Sequence, residues 1–247
     1  MLFGVFGDIH ANIEAFEAVL AKLKEIGCDK LVCLGDIVGY GASPRECIDL
    51  MRAENIESVK GNHDFYTADL EQERFWEVKD YAREAILWTQ QELTGDHVKW
   101  LDKLPFGLRI GNNEFIHASM ETVDGEYWPY IMDRNTAQFH FYLQDTPVAF
   151  CGHIHIPLLF SHNGEDIRME MLKEKRLEKN PIFKYLVNPG AVGQPRDSDW
   201  RAAAAIYDDE TGLVYPIRVE YDVKSAQKKI LAAGLPSDLA ERLSRGV

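Results

Sequence analysis

The sequence predicts a mixed α/β fold, with a mostly parallel sheet near its start and an antiparallel or mixed sheet after it. Two observations carry this. From Leu2 to Val59, short apolar runs alternate with helical patterns, and that alternation implies parallel pairing. After Pro105 the runs follow one another at closer spacing without intervening helices, which implies antiparallel neighbours. A chain of 247 residues, 46% of them hydrophobic, can bury a core without disulfides, and residues 1–247 read as one domain.

Leu2–Phe6 suits a strand buried on both faces. Asn12 caps a helix whose Ile13, Phe16, Val19, Leu20 and Leu23 recur at helical spacing, ending near Gly27. Leu31–Leu34 is a second strand. Ser43-Pro44-Arg45-Glu46 has the pattern of a capping box and opens a helix to about Arg52. Ile56–Val59 is a third strand. Phe75 to Leu93 reads as one helix with Tyr81, Ala85, Trp88 and Val78 inward. Strands follow at Phe106–Ile110 and Glu114–Ile116, with Asn112-Asn113 as a hairpin turn between them. Further strands are read at Val148–Cys151, Pro157–Ser161, Arg168–Met171, Tyr185–Val187, Ala202–Tyr207 and Val214–Val219. Val223–Ala233 and Leu239–Leu243 close the chain as helices. Lys173–Lys184, charged and weakly periodic, reads as an exposed excursion. Glu121–Arg134 is an aperiodic stretch whose Tyr127, Trp128 and Tyr130 could stack on a substrate or pin the loop.

The net charge of −13 argues against stable nucleic-acid binding, because surfaces that neutralise many phosphates are basic. It leaves room for a small phosphorylated substrate, since metal ions supply local positive charge. Cys28, Cys33, Cys47 and Cys151 form no CxxC pair or disulfide framework and suit a reducing compartment. No signal peptide or membrane-length apolar run is visible, so a cytoplasmic location is expected.

Five patterns carry chemistry: Gly7-Asp8-Ile9-His10, Gly35-Asp36-Ile37-Val38-Gly39, Gly61-Asn62-His63-Asp64, His117 and Gly152-His153-Ile154-His155. Each stands where an apolar run stops, and ligands of open α/β sheets gather outside the carboxyl ends of strands. Singly, each has a bland reading: Asp36 as a helix cap, Gly61-Asn62 as a turn, His117 as a core histidine. Together they hold five of the eight histidines; His97, His140 and His162 are left as structural or surface residues. His153 and His155 need a turn to converge, and Gly152 could supply it. Imidazole, carboxylate and one amide without thiolate suit Mn²⁺, Fe²⁺, Ni²⁺ or Zn²⁺, and seven candidate ligands are too many for one tetrahedral ion.

In this order the motifs resemble the signature of the calcineurin-like metallophosphoesterases, over about residues 1 to 195. Asn188-Pro189-Gly190-Ala191 is similar to a stretch of the small prokaryotic phosphodiesterase-like members. The resemblance implies a four-layer αββα sandwich of two mixed sheets flanked by helices, with a dimetal site at the carboxyl ends of strands. It implies Asp8, His10 and His155 on one divalent ion, Asn62, His117 and His153 on a second, and Asp36 bridging the two.

The implied chemistry is hydrolysis of a phosphate mono- or diester. Two ions roughly 3.5–4 Å apart acidify a shared water for in-line attack and clamp a phosphoryl oxygen. His63 would be the general acid, or else a residue that only orients the phosphate. Asn62, His63 and Arg196 would contact the phosphate, and Tyr127 and Trp128 the rest of the substrate; Arg196 could instead pair with Asp197 or Asp199. Protein serine/threonine phosphatases and symmetrical dinucleoside tetraphosphatases carry G-D-x-V-D-R-G, where this chain has Gly39 and Tyr40 in place of Asp and Arg. Alternative readings are a nucleotide or dinucleoside polyphosphate hydrolase, a protein phosphatase-like activity, or a non-catalytic scaffold on the same fold.

Overall fold

The computed structural model describes residues 1–247, with every side chain but that of Glu73. In chain order the elements are β1 (Leu2–Phe6), α1 (Ile13–Ile26), β2 (Lys30–Cys33), α2 (Pro44–Ala53), β3 (Glu57–Ser58), α3 (Asn62–Ala68), α4 (Asp80–Glu92) and α5 (Gly95–Asp102). They continue with β4 (Gly107–Ile110), β5 (Asn113–Ile116), α6 (Arg134–Leu143), β6 (Val148–Phe150), β7 (Pro157–His162), β8 (Ile167–Met171) and β9 (Lys175–Arg176). The last are β10 (Lys184–Pro189), β11 (Ala202–Asp208), β12 (Leu213–Val219), α7 (Val223–Ala232) and α8 (Ser237–Glu241).

Two six-stranded sheets form, ordered β3-β2-β1-β11-β12-β9 and β4-β5-β6-β10-β7-β8. In the first, β1, β2 and β3 are parallel and β11 returns antiparallel beside β1, with Phe3 opposite Tyr207. In the second, β5, β6 and β10 are parallel, flanked by antiparallel β4 and β7.

Alternation along the strands decides the layers. Phe3, Val5, Val32 and Leu34 face the other sheet and pack with Phe115, Phe150, Tyr185 and Val187. Phe6 and Cys33 face outward to α1 and α2, with Phe16, Val19 and Ile48. On the far side Ala137 and Phe141 of α6 cover Ala149, Phe160 and Leu186. The result is helix, sheet, sheet, helix, the four-layer arrangement expected. No helix of the described residues is long and apolar enough to cross a membrane.

Local signals fare unevenly. Asn12 caps α1 by accepting from the Ala15 amide at 3.2 Å, and Gly27 closes it at φ 81. Ser43 stands at the N-cap of α2, but its side chain accepts no capping bond, so the expected capping box is not made. The helix expected over Phe75 to Leu93 is interrupted: a 3₁₀ turn (Glu73–Glu77) ends at extended Val78 and Lys79 before α4 begins. Phe75 is buried with Tyr66 and Ile86, in a cluster apart from the Ala82 and Ala85 face of α4, so the chain must turn between them. The β4–β5 turn is Gly111-Asn112, one residue earlier than expected, because Gly111 takes φ 60 and Asn113 pairs with Ile110. The charged excursion also holds structure: β9 pairs with β12, and Leu172 and Leu177 are buried under it.

Candidate metal centre

The site lies at one end of the sandwich, where the parallel strands of both sheets finish. Asp8 and His10 follow β1, Asp36 follows β2, Asn62 opens α3 after β3, His117 follows β5, and His153 and His155 follow β6. The loops are bent hard to bring these side chains inward. Nine non-glycine residues have positive φ among those described, and five are Asp8, His10, Asp36, His153 and His155. Such backbone costs on the order of 1–3 kcal/mol per residue and persists only where the surroundings hold it. His153 and His155 therefore converge through their own left-handed backbone, not through a turn at Gly152. Gly152 serves close approach: a Cβ there would stand 2.7 Å from Asp8 Oδ2.

The ligand atoms converge in two groups that share one carboxylate. Atoms of Asp8, His10, Asp36 and His155 lie within 4.8 Å of one another, as do those of Asp36, His117 and His153. His10 Nε2 is 3.1 Å from His155 Nε2, and His155 Nε2 is 3.3 Å from Asp8 Oδ1. Asp36 Oδ2 is 3.5 Å from His10 Nε2 and 3.4 Å from His117 Nε2. His117 Nε2 in turn is 3.1 Å from Asn62 Oδ1 and 3.2 Å from His153 Nδ1. Bonds of 2.0–2.2 Å to a tetrahedral ion make ligand–ligand edges of about 3.3–3.6 Å, so this spacing fits two cations.

The far nitrogens of the four imidazoles show which atoms are free. His10 Nδ1 faces the Val38 carbonyl at 3.2 Å, His117 Nδ1 that of Leu34 at 2.7 Å, and His155 Nδ1 that of Gln194 at 2.6 Å. His153 is reversed, its Nε2 facing the Trp128 carbonyl at 3.2 Å. A carbonyl only accepts, so each ring donates outward and turns a lone pair on the shared centre.

Burial holds His10 and His153 well below the ordinary histidine range and lowers His155, with the Arg196 guanidinium adding to the last. His117 differs: burial would lower it, but the Asp36 carboxylate beside it wins and lifts it to about 9. Asp36 is correspondingly held well below the carboxylate range, burial being outweighed by His117, His63 and His10. A cation between Asp36 and His117 would take the place of that proton.

His63 stands beside both groups without joining either. Its backbone amide donates to Asp36 Oδ1 at 2.8 Å, and its buried Nδ1 has no partner among the described residues. Burial lowers it to about 4. A Cβ on Gly39 would stand 2.3 Å from that Nδ1, so position 39 has no room for a side chain as the loop is folded.

A cavity of about 380 Å³ opens over the centre, walled by Tyr40, Asn62, His63, Tyr127, His153 and Arg196 among others. Arg196 does not pair with its acidic neighbours. Asp197 is engaged by Arg218, Asp199 by Arg201 at 2.7 Å, and Arg196 donates to Gln194 Oε1 at 2.9 Å. Trp128 is pinned: its Nε1 donates to the Gly125 carbonyl at 2.8 Å and its ring packs on Phe65 and Phe106. Tyr127 is half exposed at the cavity wall, and Tyr130 stacks on His153 at 4.1 Å.

Asp64 carries more than its place in the motif suggested. Its Oδ1 accepts from the Ile37 and Val38 amides at 2.9 and 3.2 Å, and its Oδ2 from the Gly61 amide at 3.0 Å, tying the Asp36 loop to the Asn62 loop. Its position three residues after Gly61, at the start of a helix, was the available signal. His97, His140 and His162 lie elsewhere; His97 contacts Asp49 at 3.2 Å and His140 contacts Gln144 at 3.1 Å.

The model of the calcineurin-like phosphoesterase superfamily domain matches residues 1–212, and the chain belongs to that superfamily. An uncharacterized protein of Methanocaldococcus jannaschii is 38% identical over 251 residues, covering 99% of this chain and 98% of that protein. The crystal structure of a metallophosphoesterase from Sphaerobacter thermophilus matches at 36% identity and a TM-score of 0.85, covering 100% of this chain and 99% of that one. A hypothetical protein from Pyrococcus horikoshii shares the fold at 24% identity and a TM-score of 0.78, over 100% and 98% of the two chains.

Proposed function

We propose that the protein is a metal-dependent hydrolase of phosphate mono- or diesters. The observation that carries the reading is the orientation of four imidazoles, each fixed by a backbone carbonyl and aimed at two spots that share Asp36. Asp8, His10 and His155 hold one divalent ion, Asn62, His117 and His153 the other, and Asp36 bridges; Mn²⁺, Fe²⁺, Ni²⁺ and Zn²⁺ all suit this donor set. When bound, two such ions supply an acidified water and positive charge for in-line displacement at phosphorus.

The chain's own groups do the rest. Asn62 and Arg196 orient the phosphate, Arg196 through a guanidinium that pairs with no carboxylate among the described residues. His63 reaches the cavity from beside the cluster; the negative charge of a bound phosphate favours its protonated form, and the imidazolium donates its proton to the leaving oxygen. Tyr127 and the edge of Trp128 border the space for the organic group.

The test is turnover of 4-nitrophenyl phosphate and bis(4-nitrophenyl) phosphate by protein stripped of metal and reloaded with each of the four ions. Hydrolysis that appears on loading and stops with chelator supports the reading. No turnover of either ester with any ion sinks it.

A further inference from the structure

A sheet edge is where a chain can still be paired, and the four edges among the described residues differ. β3 and β9 hold two residues each, β4 holds four beginning at Gly107, and β8 holds five. β8 contains neither proline nor glycine, and Arg168, Met169, Glu170 and Met171 are all exposed.

The hairpin with β7 decides which backbone groups β8 leaves open. The Leu172 amide donates to the Pro157 carbonyl at 3.0 Å and the Asn163 amide to that of Asp166 at 3.3 Å, so both are hydrogen-bonded pairs of one ladder. Bonded and non-bonded pairs alternate along an antiparallel ladder. Arg168, opposite Ser161, and Glu170, opposite Leu159, therefore turn their amides and carbonyls toward β7. Ile167, Met169 and Met171 turn theirs to the free edge.

The side chains divide in the same way. Met169 stands opposite Phe160, which lies in the core under α6, so Ile167, Met169 and Met171 share the α6 face of the sheet. Met169 and Met171 are 44% and 47% exposed there, and α6 beside them leaves Phe139, Tyr142 and Leu143 exposed. Arg168 and Glu170 lie on the other face. Glu170 meets Lys175, and Arg168 meets no carboxylate among the described residues.

We propose that β8 is a self-association surface: a second copy of this chain adds its own β8 antiparallel across a two-fold axis at Met169, so that the sheet runs on from one copy into the next. Charge complementarity selects both the occupant and the register. With the axis at Met169, Arg168 faces the partner's Glu170 and Glu170 faces the partner's Arg168. These are non-bonded pairs, which bring Cα atoms to about 4.5 Å and side chains close together. An axis at Arg168 or at Glu170 sets like charges against each other. A slip of one residue opposes backbone groups that point out to groups that point in. In the selected register Ile167, Met169 and Met171 all exchange hydrogen bonds across the axis, and their side chains form an apolar seam with the partner's Met169 and the partner's Met171.

Sedimentation equilibrium of the full chain over a dilution series tests this. Wild-type protein should form a dimer that dissociates on dilution. Arg168→Glu and Glu170→Arg should each raise the dissociation constant about tenfold or more, because each sets two like-charged pairs across the axis. The two substitutions together restore opposite charges and should return it to within about threefold of wild type. Met169→Pro removes an amide that points to the free edge and none that bonds β7, so it should give a folded monomer. A wild-type monomer at every concentration would overturn the proposal, as would a dimer that none of the substitutions weakens. If Met169→Pro does not fold, the charge exchange decides: single losses without recovery in the double variant would overturn the pairing.

Discussion

A Cβ on Gly61 would stand 2.1 Å from Oδ1 of Asp36 and 2.2 Å from its backbone nitrogen. The two loops are in van der Waals contact because one of them has no side chain at that point. Gly61→Ala must therefore push Asp36 out of the position that both ligand groups share. We expect a loss of about 10²-fold or more in kcat, the scale of a misplacement near 1 Å, and the loss of at least one metal equivalent. Metal analysis beside kinetics checks this; a fully active Gly61→Ala enzyme would mean that Asp36 need not sit where it does.

Asp64 satisfies three buried amides at once, those of Ile37, Val38 and Gly61. Asp64→Ala leaves all three without an acceptor, each costing about 1–3 kcal/mol. The expected result is destabilisation of roughly 3 kcal/mol or more in denaturant titration, larger than for Asp64→Asn, which keeps one acceptor oxygen. Equal stability of Asp64→Ala and wild-type protein would contradict the bridging role.

For His63 the two roles read from the sequence predict different kinetics. A general acid matters most when the leaving group is a poor one. His63→Ala should lower kcat about 10²–10⁴-fold on an alkyl phosphate ester and far less on a 4-nitrophenyl ester. An equal loss on both would assign His63 to orienting the phosphate.

His140 gives a pH dependence away from the centre. Its Nδ1 accepts from the Met120 amide at 3.4 Å and its Nε2 donates to Gln144 Oε1 at 3.1 Å, which fixes a neutral ring. Burial lowers its pKa to about 4 from an ordinary 6.5. The unfolded chain takes up this proton below pH 6.5 while the folded chain does not, so the contribution is full above 6.5 and lost as pH falls toward 4. Its size is on the order of 3 kcal/mol. A nuclear magnetic resonance titration should find the His140 ring neutral at about pH 5; a ring that protonates near its ordinary value would contradict the buried, paired geometry.

Strand positions were legible because both faces of β1, β2, β6 and β11 are buried, which leaves apolar runs with sharp ends. The polar residues at those ends were legible for the same reason: Asp8, Asp36 and His153 interrupt the runs. What was missed is nonlocal or backbone-made. Nothing in the local pattern pairs Phe3 with Tyr207, so the place of β11 beside β1 could not be read. The carbonyls of Leu34, Val38, Trp128 and Gln194 orient the imidazoles, and a carbonyl has no residue signature. Helix α6 carries a weak sequence signal because Phe139 and Tyr142 lie on its exposed face, which blurs the polar stripe. The sequence marks Tyr40 only as the residue in place of an arginine; its left-handed backbone has no residue signature.

The central claim is a two-ion centre bridged by Asp36, and metal content measured with turnover on the same samples tests it most directly. Wild-type protein reloaded with Mn²⁺ should hold two ions per chain and hydrolyse a phosphate ester, and Asp36→Asn should hold one or none and lose turnover. Wild-type protein without stoichiometric metal, or an Asp36→Asn protein that keeps both its ions and its rate, would contradict the account.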